Sequence, residues 1–151
     1  MNIKQGIPLN QIQEILDFSF TFFEHVISRQ GFDFYIRDLA NTNWNQSVLL
    51  LDDQDNIKGV YILGNNQLPS EHVQYKYVGL LGVEGLLLAV DKSVRGQGYG
   101  NKLKDYPSTL GYDYIWGQQF KSLNNLKNWL KRRELVATTD SVYITAEIFL
   151  K

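Results

Sequence analysis

The residues best placed to do chemistry lie in Leu88-Ala89-Val90-Asp91-Lys92-Ser93-Val94-Arg95-Gly96-Gln97-Gly98-Tyr99-Gly100-Asn101. An apolar run ends at an aspartate, three alternating glycines follow, and a helix-forming segment comes next. The first-turn amides of a helix have no partner inside the helix, and its macrodipole adds partial positive charge there. Glycines let an anion come close to the backbone. A strand running through such a turn into a helix is a phosphate site.

Three phosphate-binding patterns compete for these residues. The dinucleotide fingerprint G-x-G-x-x-G needs glycine at position 101, which is Asn101. The P-loop G-x-x-x-x-G-K-[ST] fails as well, because Asn101 precedes Lys102 and Leu103 follows it. The pattern R-x-x-G-x-G is met in full by Arg95, Gly98 and Gly100. Placed after an apolar strand ending in Ala-Val-Asp, it resembles the acyl-CoA-binding motif of the GNAT family of N-acetyltransferases. The order of elements read below resembles that family over essentially the whole chain.

The resemblance implies a set of roles. Backbone amides of Arg95, Gly96, Gln97, Gly98, Tyr99, Gly100 and Asn101 would wrap the pyrophosphate of acetyl-CoA. Leu88, Ala89 and Val90 would pair with the pantetheine arm as if it were another strand, and their side chains can be plain core at the same time. The Val90 amide lies where the family polarises the thioester carbonyl, whose oxygen gains charge in the tetrahedral transition state.

An alkylammonium, with a pKa near 10, cannot attack a carbonyl until a base removes its proton. Glu84 is the one acid inside the central strand, and it holds the strand position of the glutamate base in the histone-acetylating members. A carboxylate among apolar residues is costly unless paired or protonated, so desolvation should raise its pKa toward neutrality. The alternative is a residue at the strand's start with its head in solvent.

The chain also departs from the family pattern. Many members carry a tyrosine near the end of the penultimate helix as general acid; here Trp129 or Leu130 falls there, and Glu134-Leu135 replaces Gly-Phe. No acid is assigned, since a thiolate with a pKa of about 8.5 can leave unprotonated. Asn124 or Asn125 is a further candidate for contact with CoA. The Lys131-Arg132-Arg133 run reads as a solvated helix end, with a contact to the CoA 3′-phosphate as the alternative. The acceptor amine would enter opposite CoA, where Phe32, Phe34, Tyr35 and Trp44 form an aromatic group. Such a group can receive a cation or pack as core.

The elements that must position these residues follow from periodicity. Apolar positions from Ile12 to Ile27 predict a helix over Asn10 to Arg29, punctuated by Pro8 and closed by Gly31. A second short helix is expected around Tyr35 to Leu39. Ser47 to Leu51 and Ile57 to Leu63 flank an acidic turn and read as a hairpin. His72 to Val78 alternates like a strand or its approach, and Gly82 to Val90 reads as a central strand buried on both faces. A helix runs from the glycines to about Tyr106, limited by Pro107. Tyr112 to Trp116 is a strand, Ser122 to Arg133 an amphipathic helix, and Val142 to Leu150 a last strand. The expected fold is α/β and GNAT-like: one central mixed, mostly antiparallel sheet between helices, in a single N-acetyltransferase domain over 1–151.

Composition narrows the partners. The chain has 151 residues, 44% hydrophobic and 21% charged, which is globular and not disordered. Fifteen basic residues against sixteen acidic ones give a net charge of −1, so no single-signed field exists to hold nucleic acid or an anionic membrane. Cysteine is absent, which excludes disulfides, zinc–thiolate sites and a cysteine nucleophile. His25 and His72 lack neighbours at ligand spacing, and no metal is expected. Met1 to Gly6 lacks the start of a signal peptide, and no apolar stretch reaches membrane length, so a soluble cytoplasmic protein is expected. The expected activity is transfer of an acetyl group from acetyl-CoA to an amine, on a small molecule or a peptide, by direct attack. A catalytically degenerate acyl-CoA-binding module is the alternative, and pairing with a second copy as a homodimer stays open.

Overall fold

The computed structural model describes residues 1–36, 41–123 and 126–149. A seven-stranded sheet has the order β1-β2-β3-β4-β5-β7-β6, with β1 Asn2–Gln5, β2 Val48–Leu51, β3 Ile57–Gly64, β4 Gly82–Val90, β5 Tyr114–Phe120, β6 Glu134–Thr138 and β7 Val142–Ile148. Every neighbouring pair is antiparallel except β4 and β5. The mixed, mostly antiparallel sheet between helices is as expected. The β2–β3 hairpin turns on Asp52, whose carboxylate accepts from the amides of Gln54 and Asn56, while Asp55 takes a left-handed backbone (φ 62°).

Helices α1 (Ile12–Phe20) and α2 (Arg29–Ile36) cover one face. Their Ile12, Ile15, Leu16, Phe32 and Ile36 pack on Leu49, Val60, Ile62, Leu87 and Ala89 of the sheet. The other face is covered by α3 (Tyr99–Asp105), whose Leu103 is buried with Leu50, Tyr61, Val83 and Ile115. Pro107 stands in a 3-10 turn, Tyr106–Leu110, that follows α3 at once, which is the early stop expected of it. A third core, with Tyr77, Tyr114, Trp116 and Ile144, lies over β5 and β7.

Several expectations are corrected. The helix over Asn10 to Arg29 ends at Phe20: the amides of Phe22 and Phe23 bond three residues back, and the Thr21 hydroxyl caps the Phe18 carbonyl at 2.8 Å. Gly31 does not close a helix but sits inside α2, which begins earlier than expected because Ser28 accepts from the Gly31 amide as its N-cap. The expected helix over Tyr35 to Leu39 therefore falls partly on α2 and partly outside the described residues. Of the two readings of His72 to Val78, the strand gives way to the approach: two 3-10 turns, Ser70–His72 and Tyr75–Tyr77, lead toward β4. Among the described residues of the helix expected over Ser122 to Arg133 stand the end of a 3-10 turn, Lys121–Leu123, and one α-helical turn, α4 (Leu126–Trp129), and β1 and β6 are additional strands. Both are short edge strands with little buried surface, so they carry little apolar pattern.

Candidate active site

The site begins where β4 and β5 part. Their parallel ladder pairs Gly82 with Tyr114 through Gly85 with Gly117 and stops there. On its other side β4 stays paired with β3 up to Val90, with a bulge that leaves Leu86 unmatched between the Leu87–Ile62 and Gly85–Leu63 pairs. The bulge bends β4 away from β5. Leu88 to Val90 thus present an open strand edge inside the molecule, which an extended ligand can pair with as a strand. The Asp91 amide donates to the Lys58 carbonyl on β3 at 2.8 Å. Backbone groups alternate in direction along a strand, so the amides of Leu88 and Val90 aim the opposite way, into the gap. The Val90 carbonyl on that side accepts from Arg95 Nε at 3.1 Å, and the Arg95 guanidinium lies 5.7 Å from the centre of the Phe22 ring.

The glycine turn continues from this edge. Asp91 caps a 3-10 turn, Lys92–Val94, by accepting from the Ser93 amide; the Ser93 hydroxyl first, and that amide second, hold its carboxylate below the usual range. Gly96 and Gly98 both adopt left-handed backbones (φ 81° and 84°), and Gly98 is the N-cap of α3. The first bond of α3 runs from the Lys102 amide to the Gly98 carbonyl at 3.1 Å. The amides of Tyr99, Gly100 and Asn101 come before it and so have no partner within the helix. A side chain added at Gly96, Gly98 or Gly100 would meet open space, so the turn presents bare backbone to solvent. The structure brings all the sequence-predicted binding residues, Leu88 to Val90 and Arg95 to Asn101, along one edge and turn.

A cleft of about 380 Å³ fills the gap between the strands. Leu86, Leu87 and Leu88 of β4 form one wall, and Gln118, Gln119 and Phe120 of β5 the other. Phe23, Ile27, Phe34 and Tyr35 close it from the helical side. Of the four aromatics picked from the sequence, Phe34 and Tyr35 reach the cleft, while Phe32 and Trp44 are core. Of the two residues weighed for the family tyrosine's position, Trp129 lines the cleft, whereas Leu130 is exposed.

Glu84 is only 4% exposed, which overturns the reading with its head in solvent. Burial pushes its carboxyl up to about 7, against one opposing hydrogen bond from Asn66 Nδ2 at 3.3 Å. Its charge also adds to the burial that raises the Tyr35 hydroxyl, so the two groups share one environment beside the cleft. Gly85 and Leu86, the next two residues, line the cleft itself.

Arg133 corrects another expectation: the basic run is not wholly solvated. Arg132 is exposed and pairs with Asp105 and Glu147, but Arg133 is buried. Asn124 and Asn125 lie outside the described residues. Sequence reasoning missed Tyr61 and Gln119, both on the cleft wall. Gln119 is held by the Thr145 hydroxyl, which donates to its Oε1 at 2.9 Å. Among the described residues no three His, Asp or Glu side chains stand together as a metal site, and no helix is long and apolar enough to cross a membrane.

Neither a protein-family model nor a curated protein sequence matches the chain. Solved structures do. The PaiA N-acetyltransferase of Thermoplasma acidophilum, in complex with coenzyme A, superposes with a TM-score of 0.66 at 11% identity, over 99% of this chain and 100% of that one. A GNAT-family acetyltransferase of Staphylococcus aureus gives 0.63 at 13% identity, over 97% and 98%. Another from Listeria monocytogenes gives 0.68 at 9% identity, over 98% and 94%. The chain has the fold of the GNAT acetyltransferases.

Proposed function

We propose that the chain is a GNAT N-acetyltransferase that moves the acetyl group of acetyl-CoA to an amine by direct attack. The observation that carries this reading is the open edge of β4 after Gly85, running straight into a glycine turn of bare amides. Pantetheine takes the place of the departed strand along Leu88 to Val90, and the pyrophosphate sits on the amides from Arg95 to Asn101. The inward Val90 amide polarises the thioester carbonyl as negative charge grows on its oxygen. Complete coverage of structures that include a CoA complex supports the reading.

Glu84 is the proton acceptor, directly or through one water. A carboxyl held near 7 by burial is half ionised at neutral pH, where a general base is most effective. The acceptor side of the cleft is aromatic, with Phe23, Phe34 and Tyr35 on it, and Tyr35 shares an environment with this acid. It suits an amine on an apolar body, whose ammonium form is drawn to aromatic faces and to the carboxylate.

The experiment is thiol release from acetyl-CoA across a panel of amines, run beside a direct measurement of CoA binding. Release that depends on an amine supports the reading. Trp129 in the tyrosine's place favours a second reading, a degenerate module that binds acyl-CoA without turnover. CoA binding with no release for any amine selects it. Tight binding of ATP or NAD with none of CoA overturns both.

A further inference from the structure

The floor of the cleft carries a polar pair that neither the phosphate site nor Glu84 uses. Tyr61, 1% exposed, leaves β3 on the α3 face and passes under β4, its hydroxyl lying against Gly85, and both residues line the cleft. There it accepts from Arg133 Nη2 at 2.9 Å. Arg133 is 5% exposed, its nearest carboxylate oxygen is 4.0 Å away on Glu147, and its buried Nε has no hydrogen-bond partner. A buried guanidinium so sparsely compensated is costly to fold. Its planar group is fixed from the other side by the Trp129 ring, 4.3 Å from its carbon, so the fork is held in one orientation. Among the described residues the Tyr61 hydroxyl makes no other hydrogen bond. Because its oxygen already accepts, its own proton is available toward the cleft.

Resting on the transferase reading above, we propose that Tyr61 is the proton donor to the departing thiolate and that Arg133 positions it. The amine nitrogen bonds to the thioester carbon, and the C–S bond breaks with its electron pair going to sulfur. Sulfur takes the Tyr61 proton, leaving CoA thiol and a phenolate paired with the Arg133 guanidinium. The ammonium gives one proton to Glu84 before attack, and the nitrogen loses its second to water as the intermediate collapses. The Glu84 proton leaves to water as products depart and the phenolate recovers one from water, so the sum is ammonium plus thioester to amide, thiol and one proton. The hydroxyl comes from the sheet, opposite the α4 position that Trp129 fills.

The test compares wild type with Tyr61→Phe and with the double variant Tyr61→Phe/Arg133→Met, using acetyl-CoA and the best amine of the panel. Tyr61→Phe should lower kcat by about 10²-fold, the low end for general acid catalysis, because a thiolate is a fair leaving group unaided. Acetyl-CoA affinity should stay within about twofold, and the basic limb of the kcat profile should vanish. Removing both partners spares the guanidinium its lost acceptor, so the double variant should regain folding stability and stay as slow. Recovery of kcat in the double variant, or a single variant that keeps kcat and its basic limb, makes the pair structural and overturns the proposal. In both cases amine-dependent turnover by wild type leaves the transferase reading standing. A wild type that binds acetyl-CoA and releases no thiol overturns both.

Discussion

Gly85 on β4 stands opposite Gly117 on β5 at the last rung before the strands part, and neither position has room for a side chain. A Cβ at Gly85 would overlap the Tyr61 hydroxyl, and one at Gly117 would lie 2.9 Å from the Gly85 carbonyl oxygen. The two glycines form a window through which Tyr61 of β3 meets Arg133, the residue just before β6. The same rung closes the base of the cleft, so one local shape both opens the strand edge and admits the Tyr61–Arg133 bond.

Gly85→Ala should therefore cost stability by forcing Tyr61 aside in a close-packed layer, about 1–3 kcal/mol as for other overpacked cores. Denaturant midpoints measure it. The same variant breaks the bond to Arg133, so thiol release should fall with it. An unchanged midpoint would mean that the ring swings away freely and the window is not a constraint.

The glycine turn separates two effects that coincide in many phosphate loops. Gly98 needs its left-handed backbone, so Gly98→Val strains the turn and blocks the anion together. Gly100 has no such φ and faces open space, so Gly100→Val tests the approach of the ligand alone. Both should lose acetyl-CoA affinity while circular dichroism stays native, and only Gly98→Val should also lower the unfolding midpoint. Unaltered CoA titrations in both variants would remove the pyrophosphate from this turn.

The contrast between Gly100 and Tyr61 shows where the chain was legible. Gly82–Val90 and the turn after it are local: a continuous apolar run, then glycines opening a helix, all within twenty residues, and the strand bounds agree with the reading. The hairpin was equally plain, because both strands and their turn are contiguous. The α4 region misled because its apolar spacing suits a long helix, whereas the chain turns into β6 to complete the sheet edge beside β7. Tyr61 and Arg133 lie 72 positions apart and meet only through two glycines on other strands. Glycine inside a strand pattern was the one trace of that approach in the sequence.

Glu84 links the site to folding stability. Its carboxyl rises on folding from an ordinary 4.5 to about 7, so between those values the unfolded chain gives up its proton first. The folded state's advantage is complete below about 4.5 and is lost as pH rises through about 7. Across that window wild type should lose roughly 3 kcal/mol relative to Glu84→Gln. Denaturant unfolding of both proteins from acid to mildly alkaline pH would reveal it, and parallel curves would place the carboxylate in contact with water.

In catalysis the same substitution keeps the shape and removes the basicity. Glu84→Gln should lower kcat by about 10²–10⁴-fold, the range for general-base help. Acetyl-CoA affinity should hold, since it depends on backbone groups from Leu88 onward. The acidic limb of the pH–rate profile, set near pH 7 by the buried carboxyl, should disappear. A variant that keeps both kcat and that limb would assign the proton to another route.

Phe34 offers the cleanest view of the acceptor. It lines the cleft from α2, yet 85% of its surface is exposed, so the fold gains little from it. An exposed aromatic is often only surface, but this one faces the same cavity as Tyr35, beside the buried acid. If the acceptor is an ammonium on an apolar body, losing the ring removes a face for the cation and an apolar contact together. Phe34→Ala should then raise KM for the amine by roughly tenfold, in line with a partly desolvated cation–π contact. The KM for acetyl-CoA and the unfolding midpoint should not move, because the ring touches neither the glycine turn nor the core. A larger effect on apolar amines than on small hydrophilic ones would follow from the same contact. Equal KM values in wild type and variant across the whole panel would send the acceptor to the other side of the cleft, along Gln118 to Phe120.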